Sequence, residues 1–346
     1  MPTTYRRQGA NPLVSIVIPS VDGGEMLLRC VESIANQTYS DIEVILVDNG
    51  SSDGSAERAG DILPKLRVIR NESNQGFAPA CNQGAREARG DYLLFLNSDA
   101  VAEPNSVEEL VRIASDNSIP VLQPLLVTGD GSVDSAGDLF TWSGFFWHLQ
   151  EKPGKNHLQS IFATKGACML VKRSVFAELD GFIDSYFAYF EEADLCWRAR
   201  LRGYEVALAP SVVVLHIGGQ TTSRILEPHQ IYHLSFRNRL RSLICNPSRL
   251  SMIRILIGHL PACAATALVF LARGRIRVAF AILQALVWPV LNTGSIRTQR
   301  RKVQGSRKVG DAEVFRTDLR VPLSPERAGR LLTKTLGRWA TTKDHG

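Results

Sequence analysis

Four short apolar runs, each closing on a polar residue and separated from the next by a helical pattern, restrict this chain to one fold class. They are VSIVIPS (Val14–Ser20), IEVILVD (Ile42–Asp48), the weaker LRVIRN, and DYLLFLNSD, which closes on Asp99. Runs this short and this rich in Val, Ile and Leu read as buried strands. Between them, Met26, Leu27, Cys30 and Ile34 recur at helical spacing. Ser52 or Asp53 is a candidate cap for a helix through Arg58 and Ala59, and PACNQGAREARG is a helix stopped by Gly90. Strand and helix alternating in such short units predict an α/β fold with a Rossmann-like, doubly wound, mostly parallel sheet. Ligands of such sheets bind beyond the carboxyl ends of the strands, where Ser20, Asp48 and Asp99 fall.

The second half is less regular. TWSGFFWH reads as a mobile aromatic segment and FATKGACMLVKR as a further strand. Glu191 to Arg202 has the charge order of a helix, acids first and bases last, and stops at Gly203. VVVLHIGG is a final strand that delivers His216 as the fourth run delivers Asp99.

Asn105 or Ser106 can cap the helix that follows Asp99, so that carboxylate is not needed as a cap. Asn97 and Asp99 lie two residues apart and share one face if the backbone stays extended. A hard divalent cation commonly binds through one or two carboxylates and substrate phosphates, which makes Asp99, with Asp48 nearby, a candidate metal site. Glu191, Glu192 and Asp194 read either as a dipole-compensating first turn or as the source of a general base in a cleft.

Together, VSIVIPS, EVILVDNGSSDGS, NQGFAPACNQGAREARGDYLLFLNSDA, TKGACMLVKR and GFIDSYFAYFEEADLCWRARLRGYEVALAPSVVVLHIGG resemble the family 2 inverting glycosyltransferases, especially their rhamnosyltransferase-like branch. The resemblance spans about residues 13–245, in order. It implies a GT-A fold, a nucleotide-diphospho-sugar donor (dTDP-rhamnose in that branch) and a divalent cation, Mg²⁺ or Mn²⁺. Carried over by motif, Asp48 reads the nucleotide base beside Pro19 and Ser20, and Asn74, Gly76, Phe77 and Asn82 line the nucleoside and donor sugar. Asn97-Ser98-Asp99 stands at the family's D-x-D motif, with Asp99 the metal ligand and Asn97 in place of the first Asp. Gly166 joins the donor-binding set, and His216 matches a histidine that helps hold the metal or diphosphate. Glu192 stands where the family usually has its catalytic Asp, with Glu191 able to share the role.

Charge is uneven along the chain. The net charge is +6, yet residues 292–346 alone hold 13 Lys or Arg and 5 Asp or Glu, a net +8. Two apolar runs, Ile255–Ala272 and Ile276–Leu291, are short for spanning helices and are flanked by arginines. Were both to span, the basic connection between them would face outward, against the positive-inside tendency. In-plane amphipathic helices on an anionic membrane are therefore expected, against the alternative of an ordinary soluble bundle. A polyprenyl-diphosphate-linked or other glycan acceptor fits that location. Nucleic acid is not an expected partner, because no recognition motif or interleaved aromatics accompany the basic tail.

Six scattered cysteines without a C-x-x-C pair, and no leader pattern before NPLVSIVIPS, point to reduced thiols and a cytoplasmic protein peripheral to the inner face of the membrane. The expected organisation is a loose arm (1–12), a GT-A domain (13–245, with a nucleotide half at 13–100 and a catalytic half at 101–245), a membrane-associating helical region (246–310) and a basic tail (311–346). Two alternatives are a catalytically impaired sugar-nucleotide-binding regulator and a sugar-phosphate nucleotidyltransferase. The latter requires a basic, glycine-rich loop after the first strand, and PSVDGGEML has no Lys or Arg before Arg29.

Overall fold

The computed structural model describes residues 11–154, 157–217 and 225–321. Most of the expected arm, the tail beyond 321 and the Gly218-Gly219 pair lie outside these residues.

Strands β1 (Val14–Ser20), β2 (Ile42–Asp48), β3 (Arg67–Arg70) and β4 (Tyr92–Leu96) form a parallel block in the order β4-β1-β2-β3. Helices α1 (Gly24–Ala35), α2 (Ser55–Ile62) and α3 (Phe77–Glu87) make the crossovers. The runs are apolar throughout because both faces are covered. Val17, Ile45 and Phe95 enter one core and Ile16, Leu46 and Leu94 the other.

The second half extends the sheet with mixed polarity. It adds β5 (Ala100–Ala102), α4 (Ser106–Asp116), β6 (Val121–Val127), β7 (Val133–Ser135), β8 (Asp138–Phe140), β9 (Phe146–His148), β10 (Gln159–Ser160), β11 (Cys168–Lys172), α5 (Arg173–Glu178), α6 (Glu191–Leu201) and β12 (Val206–His216). β11 runs antiparallel between β4 and β6, while β12 pairs parallel with β6 and antiparallel with β5. A C-terminal set follows: α7 (Pro228–Cys245), α8 (Arg249–Ala272), α9 (Ile276–Leu291), α10 (Thr293–Gly305) and α11 (Asp311–Val314).

Several local expectations change. β4 stops at Leu96, and Asn97–Ala100 is a turn closed by the Ala100 N–H donating to Asn97 O at 3.0 Å. Asn97 and Asp99 therefore do not alternate along a strand. α3 ends at Glu87, and Gly90 is required for close approach instead: a Cβ there would lie 2.6 Å from Ser15 Oγ. α2 starts at Ser55, and the Asp53 carboxylate accepts from the Ser55 and Gly24 N–H groups, tying two loops together rather than capping from the N-cap position. The aromatic segment TWSGFFWH is no mobile loop, because β8 and β9 close it into a hairpin with Phe145 buried.

Residues 311–321 also differ from a loose tail. Phe315 stacks on Phe162 at 6.0 Å and meets Trp197 edge-on, Leu319 is fully buried, and the Val321 N–H donates to Phe140 O at 3.1 Å. Three phenylalanines and a tryptophan exclude water there, so the segment belongs to the core of the catalytic half.

Candidate active site

Strand pairing assembles the acidic end of the site. β5 pairs with β12 so that Ala100 faces His216, and the Ile217 N–H donates to Asp99 O. This register sets His216 Nε2 at 3.4 Å from Asp99 Oδ1. The other ring nitrogen, Nδ1, lies 2.9 Å from Asp134 Oδ2, and Lys165 Nζ donates to the same carboxylate at 2.6 Å. Burial pushes the Asp134 carboxyl up, but the His216 hydrogen bond and the Lys165 charge outweigh it and hold the group down at about 2. Burial likewise opposes protonation of His216, whereas its two aspartate neighbours raise its pKa overall. Asp134 and Lys165 were missed from sequence because only the pairing of β6 with β7 and of β5 with β12 brings them here.

Residues Lys165 to Ala167 stitch this end to the Glu191–Glu192 pair. Lys165 holds Asp134, the Gly166 N–H donates to Glu192 Oε1 at 3.3 Å, and Ala167 O accepts from the Asn97 N–H at 2.9 Å. Gly166 therefore touches the carboxylate of Glu192, and a Cβ on it would also meet the Phe77 ring at 3.7 Å. Asn97 Oδ1, His216 Nε2, Glu191 Oε2, Glu192 Oε2 and Ser20 Oγ are all buried without a hydrogen-bond partner. Atoms of that kind carry a desolvation cost unless a ligand meets them. Asp99 with Asn97 Oδ1 and His216 Nε2 offers oxygen and imidazole donors suited to a Mg²⁺ or Mn²⁺ that completes its shell with diphosphate oxygens. Among the described residues no group of three or more His, Cys, Asp or Glu side chains forms a metal cage without substrate.

A cleft lies at the ends of β1 and β2. Pro19, Ser20, Asn74, Gly76 and Phe77 line it together with Asn49, Phe187 and Leu226. Asp48 is buried, and its Oδ1 accepts from the Ser51 N–H, closing the loop after β2. Asn49, unremarked in the sequence, donates to Asn74 Oδ1 and Gly76 O, so it shapes the wall. Asn82 sits behind that wall: it donates to Phe182 O and Asp184 Oδ1 and accepts from the Phe182 N–H. Ser98 is buried in the turn before Asp99.

Glu191 and Glu192 open α6 after three residues with positive φ, Phe187 (65°), Tyr189 (70°) and Phe190 (77°). Non-glycine residues persist in that region only where surrounding contacts over-determine them. Asn238 of α7 supplies such contacts, donating to the carbonyls of Tyr186, Ala188 and Tyr189. Asp194 locks the helix itself, accepting from Arg198 at 2.6 Å, Ser242 at 2.7 Å and Asn246 at 3.0 Å. Burial pushes Glu192 up to about 6, with Asp138 adding to the rise. Burial, and then the neighbouring Glu192, push Glu191 well above the usual carboxylate range. Two buried carboxyls side by side oppose each other's ionisation.

The family model "Glycosyl transferase family 2" matches residues 15–180. Residues 15–180 carry a family 2 glycosyltransferase domain. An N-acetylglucosaminyl-diphospho-decaprenol L-rhamnosyltransferase of Mycobacterium tuberculosis is 28% identical over 250 residues, which cover 64% of this chain and 81% of that protein. Two solved structures share the GT-A fold of this glycosyltransferase. S. aureus TarS 1-349 in complex with UDP-GlcNAc aligns at TM-score 0.58 and 15% identity, covering 87% of this chain and 91% of that one. The mannosyltransferase PcManGT of Pyrobaculum calidifontis, in complex with GDP-Man and Mn²⁺, aligns at TM-score 0.52 and 16% identity, covering 86% of each. The nucleotidyltransferase alternative falls with this membership.

One prediction follows from the acid pair. With Glu192 as the base, kcat/KM should fall about tenfold per pH unit below about pH 6 and level off above it. Glu191→Gln, which mimics the neutral form, should keep that limb. A profile flat down to pH 4.5 in the wild type would remove Glu192 from the role.

Proposed function

We propose that the chain is an inverting glycosyltransferase that moves a sugar from a nucleotide-diphospho-sugar to a polyprenyl-diphosphate-linked glycan precursor at the cytoplasmic face of a membrane. The observation that carries the mechanism is the buried Glu191–Glu192 pair, both carboxyls pushed up by burial, with Glu192 at about 6 beside the Gly166 amide. Ionised Glu192 takes the proton of an acceptor hydroxyl as that oxygen bonds to the donor's anomeric carbon. The bond to the diphosphate breaks on the opposite face, so the configuration inverts. Asp99, Asn97 and His216 would hold a divalent cation whose charge offsets that developing on the departing diphosphate. An ionised base supports an active enzyme over the catalytically impaired regulator.

The branch and the lipid-linked acceptor follow the Mycobacterium relative, which makes dTDP-rhamnose the first donor to test. With a panel of nucleotide sugars, one donor should release nucleotide diphosphate in an acceptor-dependent manner with Mg²⁺ or Mn²⁺, and the release should cease in chelator. Acceptor-dependent transfer undiminished in chelator would reject the cation.

The C-terminal helices support the membrane. α8, α9 and the turn between them contain five arginines and no acid. Leu250, Ile253, Ile257, Leu260, Leu268 and Leu271 of α8 are exposed, as are Ile276, Phe280, Leu283, Val287, Val290 and Leu291 of α9. Each is worth about 1.5–3 kcal/mol if fully buried, and a contiguous patch of this size marks an interaction surface. α8 is long and apolar enough to cross a membrane by length and composition, with 33% of its apolar window buried. Its inward face is occupied, since Phe270 packs on Tyr232 of α7 at 4.9 Å and His259 Nδ1 lies 2.8 Å from Ser143 O. One face on protein and one face free fit helices lying in the membrane plane. In this reading residues 13–245 carry the transfer chemistry and 246–310 the lipid contact. Anionic liposomes should float the protein, and replacing Ile257, Leu268, Phe280 and Leu283 with Ser should release it. Unchanged flotation would reject the face.

A further inference from the structure

The β8–β9 hairpin joins two places that the transfer reaction has to connect. At its base, His148 Nδ1 lies 2.6 Å from Asp138 Oδ1, which leaves Nε2 as the ring nitrogen available to a ligand. The His148 side chain is 53% exposed while Asp138 is buried, so one partner orients and the other faces outward. Both charges act on Glu192. At the tip, Trp142 is 56% exposed and lies over Gly258 of α8, where a Cβ would come within 2.6 Å of the indole. Ile257, the next residue, is among the most exposed apolar side chains of the chain. The tip is also anchored: Phe145 lies between His259, at 4.8 Å, and the Arg239 guanidinium, at 4.3 Å. Gly144, with φ +76°, packs against Leu243 and Ile255.

From Asp138 to Trp142 is four residues, about 13 Å of extended chain. A hydroxyl presented to Glu192 and a hydrocarbon chain resting on α8 are therefore separated by a short polar headgroup. We propose that this hairpin is the acceptor-binding wall of the enzyme, with His148 a positioning residue for the acceptor headgroup and Trp142 a seat for the first part of its lipid chain. The inference rests on the lipid-linked acceptor proposed above and adds which residues select it. It favours a short precursor, one or a few sugars on a diphospholipid, over a long polymer.

His148 and Asp138 meet Glu192 together with Glu191 of α6, the Gly166 amide, and the thiols of Cys81 on α3 and Cys196 on α6, the latter held up at about 11 by burial. Among these, His148 lowers and Asp138 raises the Glu192 pKa. The test uses the full chain with two acceptors that carry the same sugar diphosphate, one on a polyprenyl chain in liposomes and one on a short alkyl chain. His148→Ala should raise KM at least tenfold for both acceptors while donor KM moves less than twofold. His148→Ala and Asp138→Asn should shift the acid limb of the pH profile in opposite directions, up and down respectively. Trp142→Ser should raise KM for the polyprenyl acceptor at least fivefold more than for the alkyl one. Thermal unfolding monitors each variant, and His148→Gln replaces Ala if the latter unfolds. Equal changes in donor and acceptor KM, or an equal effect of Trp142→Ser on both acceptors, would overturn the inference alone. Wild-type transfer to a soluble glycan but to neither diphosphate acceptor would overturn the lipid-linked reading and this inference with it.

Discussion

Three consecutive residues, Lys165, Gly166 and Ala167, hold the two ends of the candidate site at a fixed separation. One fastens the Asp134–His216–Asp99 chain, one meets Glu192, and one bonds the turn that carries Asn97. They leave that loop directly into β11, the antiparallel strand wedged between β4 and β6. Catalytic geometry is sensitive at the scale of an ångström. A loop tied on three sides and continuous with the central sheet meets that demand better than a free one.

The same economy appears around α6. Adjacent carboxyls in an apolar setting cannot both ionise cheaply, and the fold places them there through a strained entry of three positive-φ residues. Asn238 and Asp194, both fully buried, satisfy the backbone and helix contacts that keep the strain in place. α7 is thus a buttress for the Glu191–Glu192 turn, which explains why its polar Asn238, Arg239, Arg241 and Ser242 are buried.

What was legible in the sequence was what is local. The apolar runs gave the strands because burial on both faces leaves no alternation to misread. Polar residues at strand ends gave Ser20, Asp48 and Asp99 as candidates. Asp134, Lys165, Asp138 and His148 carried no local signal, since each enters the site through pairing of strands distant in sequence. The turn at Asn97–Ala100 was misjudged for a related reason: besides its own Ala100–Asn97 bond, it is held from Ala167 and Ile217, which are distant in sequence. Residues 311–321 looked like tail because their charge was visible, while the aromatic pocket that takes Phe315 was not. TWSGFFWH looked mobile until its partner strand was known.

The central proposal is that Glu192 takes the acceptor's proton. Glu192→Gln keeps shape and volume but removes the base, so its turnover is the most direct measurement. The variant should lose transfer by at least a thousandfold while binding donor nucleotide sugar with near wild-type affinity. Turnover within tenfold of wild type, with binding intact, would contradict the assignment.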